Sequence, residues 1–175
     1  EALGLPALNH EVSLQGYGAV RNLGLLLAGV LGFDAVVFLD DDEVIEDPGF
    51  LKAAMYGLGK HTKKGFPILA KTGFYLNEQG SYRSSWEDQW YDRFWKQASA
   101  FNEWIEKAMR APRLSRSNHV CGGVLALHKE VFKRIPFDAW IARGEDLDYM
   151  INLRLYGSDV WFDNRWVLRH LPPAT

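Results

Sequence analysis

Sulfur is scarce in this 175-residue chain, which has one cysteine, Cys121, and three methionines. A lone cysteine excludes an internal disulfide and offers no CxxC partner for a structural zinc site. A reducing compartment is therefore the default expectation, in the cytoplasm or at the cytoplasmic face of a membrane. Charge of one sign is also lacking. Lys and Arg number 20 against 22 Asp and Glu, a formal charge of −2, so no overall basic field draws the chain to nucleic acid and any anion site has to be local. No apolar run is long enough to span a membrane, because the most apolar window, Leu23 to Leu39, is broken by Asp34 and followed by carboxylates from Asp40 onward. Glu1 to Gln15 show no basic region followed by an apolar stretch, so no signal peptide is expected. They also hold no start methionine, which suggests a piece of a longer chain.

What is present is apolar and aromatic. Hydrophobic residues make up 47% of the chain, with seven Trp, seven Tyr and ten Phe, enough to form a core and to exclude global disorder. The length fits one domain, expected over residues 1–175. Val20, Leu23, Leu26, Leu27, Val30 and Leu31 recur at helical spacing up to Gly32, predicting a helix over 18–31. Ala35 to Leu39 is a short, β-branched apolar run, as expected of a strand buried on both faces. Asp47 and Pro48 suit the N-cap and first position of a further helix.

Phe66 to Phe74 reads as a strand, Asn77 to Gly80 as a turn, and Ser85 to Met109 as a helix whose stripe runs through Trp86, Trp90, Phe94, Phe101 and Trp104. Arg110 to Asn118 is expected to be a basic loop, Val120 to Leu127 a strand, Lys129 to Arg134 a short helix and Asp146 to Tyr156 a helix closed by Gly157. Two strands follow, an edge-like one over 159–162 and another over 166–170. The alternation predicts an α/β fold, a mixed, mostly parallel sheet flanked by helices and akin to part of a Rossmann domain. In that class ligands bind at the carboxyl ends of strands, where the acidic turn after Leu39 lies.

Asp40, Asp41, Asp42 and Glu43 place four carboxylates in succession, which repel unless solvent or a cation intervenes. In an extended turn Asp40 and Asp42 point the same way. A hard cation such as Mg²⁺ is held by one or two carboxylates together with substrate phosphates. Without a ligand, the same turn is an acidic loop before a helix N-terminus. Glu145 and Asp146 open a predicted helix, where free N–H groups favour an ionised carboxylate and so a proton acceptor, or simply a cap. His170 ends the last predicted strand, and a neutral imidazole there can complete a coordination shell or merely pack.

Gly18-Ala19-Val20-Arg21-Asn22-Leu23-Gly24, Val36 to Asp42, Gly122-Gly123, Gly144-Glu145-Asp146-Leu147-Asp148 with Arg154 and Gly157, and His170 occur in this order. Together, over residues of about 16 to 171, they resemble the family 2-type glycosyltransferases of GT-A fold. The resemblance implies a nucleotide-diphospho-sugar donor, a UDP-sugar first among them, and a glycan, lipid-linked or other hydroxyl acceptor. It implies that Asp40 and Asp42 bind Mn²⁺ or Mg²⁺ against the donor diphosphate, with His170 as a further ligand and Asp41 within the same donor-binding turn. Asp146 matches the general base, Glu145 an acceptor-binding acid, and Arg21 with Asn22 the segment beside the nucleotide. Trp86 and Trp90 are candidates for an acceptor groove, or for a membrane interface, with Gly122 and Gly123 permitting close approach. The family opens with strands that grip the nucleoside, and nothing before Gly16 supplies them, so the resemblance implies a domain shortened at its N-terminus.

Two other functions suit parts of the pattern. A strand followed by Asp40-x-Asp42 also fits a haloacid-dehalogenase-type phosphohydrolase, in which the first Asp attacks phosphorus. A catalytically incompetent fragment or a carbohydrate-binding module of the same fold would keep the aromatic groove without metal-dependent nucleotide binding.

Overall fold

Residues 14–84, 87–92 and 96–171 are described by the computed structural model. Six helices and six strands are assigned among them as follows: α1 (Tyr17–Val30), β1 (Ala35–Phe38), β2 (Glu43–Val44), α2 (Phe50–Met55), β3 (Ala70–Leu76), α3 (Gln97–Arg110), β4 (Leu114–Arg116), β5 (Leu125–His128), α4 (Lys129–Phe132), α5 (Glu145–Leu155) and β6 (Val160–His170), with a 3₁₀ turn at Gly122–Val124 as the sixth helical element. The strands form one mixed sheet in the order β1-β5-β3-β6-β2, with β4 also pairing β6. No helix among the described residues is long and apolar enough to cross a membrane.

The α/β class is as the alternation predicted, but the strand directions are not. Only β3 and β6 run parallel; β1–β5, β3–β5, β2–β6 and β4–β6 are antiparallel. An unbroken apolar run reports burial on two faces, and helices packed on both sides give that burial whatever the strand direction. The alternation in β5 makes the point. Leu125 and Leu127 join a cluster with Leu25, Phe132, Phe137, Tyr149 and Leu153 on one face, while Val124 and Ala126 join Phe50, Ala54, Trp166 and Leu168 on the other. Each fully buried leucine contributes roughly 1.5–3 kcal/mol relative to exposure.

The two C-terminal strands expected over 159–162 and 166–170 are one strand, β6, and it lies inside the sheet. Asp163, Asn164 and Arg165 read as an interruption because a central strand seldom carries such residues. Here Asp163 is fully buried and matched by two cations, with Lys71 Nζ at 3.0 Å and Arg113 Nε at 3.0 Å. Lys71 also donates to the carbonyls of Ala53, Ala54 and Tyr56, fastening the C-terminal end of α2 to β3. Arg113 and Arg116 thus serve ion pairs, the latter with Asp159, and Leu114–Arg116 is a short strand where a basic loop was expected.

Three boundaries also differ. The α2 helix starts after Gly49, not at Pro48, because the Asp47 carboxylate accepts the Gly49 amide at 2.7 Å and closes a turn first. The strand expected from Phe66 begins at Ala70. The helix expected from Ser85 is assigned only from Gln97, and Trp90 lies in a turn; Trp86 and Phe94 lie outside the described residues. Asp88 explains the late start, since its carboxylate accepts the amides of Ala98 and Ser99 and the Ser99 hydroxyl, holding the first turn of α3. Within α3, Phe101, Trp104 and Ile105 do pack as a stripe, against Phe74 and Phe162.

Candidate functional site

The carboxyl ends of β1, β3 and β6 and the amino end of β5 meet at one end of the sheet, as the register Phe38↔Leu125 and Thr72↔Leu125 requires. The acidic turn, Gly122–Gly123, the start of α5 and His170 all lie there. Arg21 is the hub. Presented by α1 and 7% exposed, its guanidinium reaches Gly122 O at 2.6 Å, Asp40 Oδ1 at 3.3 Å and Glu145 Oε1 at 3.2 Å. The rings of Phe38 and Phe137 lie 5.2 and 5.7 Å from it. One cation therefore ties the turn after β1, the glycine turn before β5 and the start of α5 together, and it offsets charges that would repel.

Asn22, also buried, uses its amide on the backbone of Phe137 at 2.8 and 2.9 Å. Those contacts fix the chain that leads into α5.

On the acidic turn, Asp41 is exposed, whereas Asp40 and Glu43 fold back over Gly123. The Asp40 amide donates to Glu43 Oε2 at 2.9 Å. A side chain at position 123 would run into Glu43 Oε1 and come within 2.7 Å of Asp40 Oδ2, so only glycine leaves both carboxylates this close to the backbone. Burial pushes the Glu43 carboxyl up to about 6, with Asp40 and Asp42 adding repulsion and the Asp40 amide opposing. Its Oε1 is buried with no hydrogen bond of sound geometry among the described residues, while Tyr75, whose hydroxyl accepts the Gly123 amide hydrogen, stands beside it. Asp40 is likewise raised, by burial first and then by Asp42, Glu145 and Asp41, against the pull of Arg21.

The pairing of β2 with β6 brings in the fourth element. The register Glu43↔His170, closed by Leu171 N–H to Asp42 O, sets Asp42 Oδ2 3.0 Å from His170 Nε2. The His170 ring also rests 5.4 Å from that of Tyr75. Oxygen donors and one imidazole suit a hard or borderline divalent cation. No three His, Cys, Asp or Glu side chains among the described residues gather as a ready cluster. The donors brought together are the Asp42–His170 pair, and Glu43 presents a carboxylate oxygen without a hydrogen bond among the described residues.

Asp146 follows the left-handed Gly144 at the start of α5, and its Oδ1 accepts the Leu147 amide at 2.7 Å. Burial raises its carboxyl above the ordinary range, offset in part by that amide and by Arg21. A side chain at position 122 would come within 2.7 Å of the Arg21 guanidinium, so Gly122 leaves room for that cation, with Asp146 Cβ in ordinary contact beside it. Gly122 therefore admits the Arg21 guanidinium and Gly123 the Glu43 and Asp40 carboxylates. Cys121 is half-buried and desolvation pushes its thiol up to about 12, which makes it a poor nucleophile, and His119 packs against Trp104.

Two clefts open beside these groups. One, of about 510 Å³, runs along α1 past Tyr17, Val20, Phe38 and Leu39 to Arg21 and Asp40. The other, of about 1070 Å³, extends from Cys121 and His170 across β3 to the 81–92 segment and α3. Tyr91 lines it, while Trp90 is 88% exposed and touches Tyr91 edge-on. Sequence reasoning counted Glu43 among the four carboxylates of the turn without giving it a separate role, and passed over Tyr75 and Arg143. The first had a signal, its place three residues after Asp40, within reach of that residue's own amide; Tyr75 and Arg143 had none.

The site thus sits on a mixed α/β fold. No protein-family model matches the chain, and no curated protein does. Among solved structures it is similar to a mycobacterial protein, with a TM-score of 0.51 and 18% identity over 94% of this chain; the chain covers 47% of that protein, about half its length. It is also similar to A197 from STIV, with a TM-score of 0.48 and 18% identity over 91% of this chain and 75% of that one. These are likenesses of fold.

Proposed function

We propose that the chain is a metal-dependent glycosyltransferase domain of GT-A type that moves a sugar from a nucleotide-diphosphate donor to an acceptor hydroxyl with inversion. The observation that carries the reading is the convergence of Asp40, Gly122 and Glu145 on the Arg21 guanidinium, which draws the acidic turn and the Asp146 helix to one sheet end beside the Asp42–His170 pair. Asp42 and His170, with Asp40, would hold Mn²⁺ or Mg²⁺. When bound, the cation supplies Lewis-acid stabilisation of charge on the departing diphosphate. The nucleoside lies along the cleft between α1 and the end of β1, whose walls at Tyr17, Val20 and Leu39 are apolar.

Asp146 takes the proton of the acceptor hydroxyl. The acceptor oxygen bonds to the anomeric carbon as that carbon's bond to the phosphate oxygen breaks, and the diphosphate leaves with the electron pair. A carboxyl raised by burial is a better base than an exposed aspartate, and the helix N-terminus favours its ionised form. Arg21 and Glu145 position Asp146 and Asp40. The test is sugar transfer and donor hydrolysis measured with UDP-, GDP- and dTDP-sugars and Mn²⁺. The expected result is that Asp146→Asn keeps donor binding and loses transfer. Equal turnover in Asp40→Ala, Asp42→Ala and Asp146→Asn contradicts the reading, and metal-dependent release of phosphate from phosphomonoesters in its place supports the phosphohydrolase.

A further inference from the structure

The larger cleft shares His170 with the metal-and-base cluster and has Cys121 in its wall, and Cys121 is within electrostatic reach of Asp146. Its volume of about 1070 Å³ exceeds the roughly 300–1000 Å³ typical of small-ligand pockets, which leaves room for more than one sugar ring. The rings of Tyr82, Tyr91 and Phe101 line it together with the hydroxyl- and amide-bearing Ser81, Asn77 and Gln89. Flat apolar faces beside hydrogen-bonding groups suit a ligand with C–H faces and a ring of hydroxyls.

The charges narrow the class. Glu87, Asp88 and Asp92 face the cleft against Arg83 and Arg143, and Arg83 is taken by Glu106 at 3.1 Å. Asp88 is committed to the amides of Ala98 and Ser99, and Asp92 Oδ2 accepts the Gln89 amide at 2.7 Å. At the inner end, His170 is bonded to Asp42, and Cys121 is within electrostatic reach of Asp146 and Glu43. Among the described residues, a phosphate or carboxylate entering here meets three carboxylates against two guanidinium groups, one of them already paired with Glu106, whereas an uncharged ligand meets no such cost.

We propose that this cleft binds a neutral oligosaccharide, the acceptor of the transfer, in preference to an anionic lipid-linked one. The identification of the bound sugar as an acceptor rests on the glycosyltransferase reading above. The terminal ring lies towards His170 and Cys121, with the following ring against Tyr91.

The test uses the whole chain and reads binding without turnover. Saturation-transfer NMR and intrinsic fluorescence are recorded with a panel of neutral tetrasaccharides of glucose, galactose, mannose and N-acetylglucosamine, and with uronic-acid and sugar-phosphate oligomers as the anionic arm. Binding of a neutral tetrasaccharide at least tenfold tighter than its anionic counterparts is expected. Tyr91→Ala weakens it about fivefold to tenfold while Tyr91→Phe retains it, since the ring face is the contact. Tyr91 is 66% exposed, so neither variant threatens the fold. Gln89→Ala weakens neutral binding by a smaller factor.

Preference for the anionic oligomers, no binding by any neutral member, or Tyr91→Ala binding as tightly as the native chain would overturn the inference. A parallel titration with UDP and Mn²⁺ separates this failure from that of the proposed function. Metal-dependent nucleotide binding without neutral-sugar binding leaves the transferase and removes this cleft as a neutral acceptor site. Sugar binding without nucleotide binding keeps the cleft as an oligosaccharide site and removes the transferase.

Discussion

Replacing Arg21 by Met removes the one cation that three segments share. Arg21 and Glu145 are 7% and 6% exposed, so the lost partner leaves the Glu145 carboxylate uncompensated in the interior. Breaking a buried pair from one side costs about 3–5 kcal/mol, and the half-exposed Asp40 contact adds no more than about 1 kcal/mol. At about 2–4 °C per kcal/mol for a chain of this size, Arg21→Met lowers Tm by roughly 6–24 °C. The double variant Arg21→Met with Glu145→Gln recovers about 2 kcal/mol or more of the expected additive loss, because the stranded charge is gone. Urea unfolding followed by tryptophan fluorescence, with thermal scans by circular dichroism, gives all four corners of the cycle. A single-variant loss below about 1 kcal/mol, or strict additivity in the cycle, refutes the argument that Arg21 clamps a buried carboxylate.

Glu43→Gln probes the raised carboxyl. Between the ordinary value of 4.5 and about 6 the folded state keeps a proton that the unfolded chain has released, so native stability falls as pH rises through that window. The variant lacks this slope and, in chelator at pH 7.5, is more stable by about 1 kcal/mol after allowance for partial exposure, with no difference near pH 4; parallel slopes contradict it. Lys71→Met strips the carbonyls of Ala53, Ala54 and Tyr56 at the end of α2 of their donor and costs about 3–5 kcal/mol in urea unfolding, even though Asp163 keeps Arg113; a loss below about 1 kcal/mol would show the network to be ornamental. Gly123→Ala pushes Glu43 and Asp40 off the turn, so nucleotide affinity in Mn²⁺ drops about tenfold or more while unfolding changes by about 1–3 kcal/mol; unchanged affinity counts against the crowded turn.

Local chemistry was legible where it is short-range. The helix at Tyr17–Val30, the strand at Ala35–Phe38, the Asn77–Gly80 turn and the helix start at Glu145 each follow from spacing or from a side chain within four residues. Strand direction was not, because two-sided burial looks alike in parallel and antiparallel sheets. Nor was the continuity of β6, since Asp163 is tolerable in mid-sheet only through Lys71 and Arg113, which lie 92 and 50 residues away in sequence.

The site divides the same way. Asp40, Asp42, Asp146 and His170 stand out as residues at element ends, whereas the clamp of Arg21 on Glu145 and the crowding over Gly123 depend on register between distant strands. Trp90 shows the limit of periodicity: its spacing suited the aromatic stripe, but Asp88 caps α3 downstream of it and leaves Trp90 in a turn.

Calorimetric titration of UDP into the native chain and into Asp42→Ala, each with Mn²⁺ and with chelator, tests the metal-and-diphosphate site most directly. Binding that appears only with Mn²⁺ and only in the native chain is the predicted result. Equal binding in all four titrations, or none in any with UDP, GDP or dTDP, contradicts it.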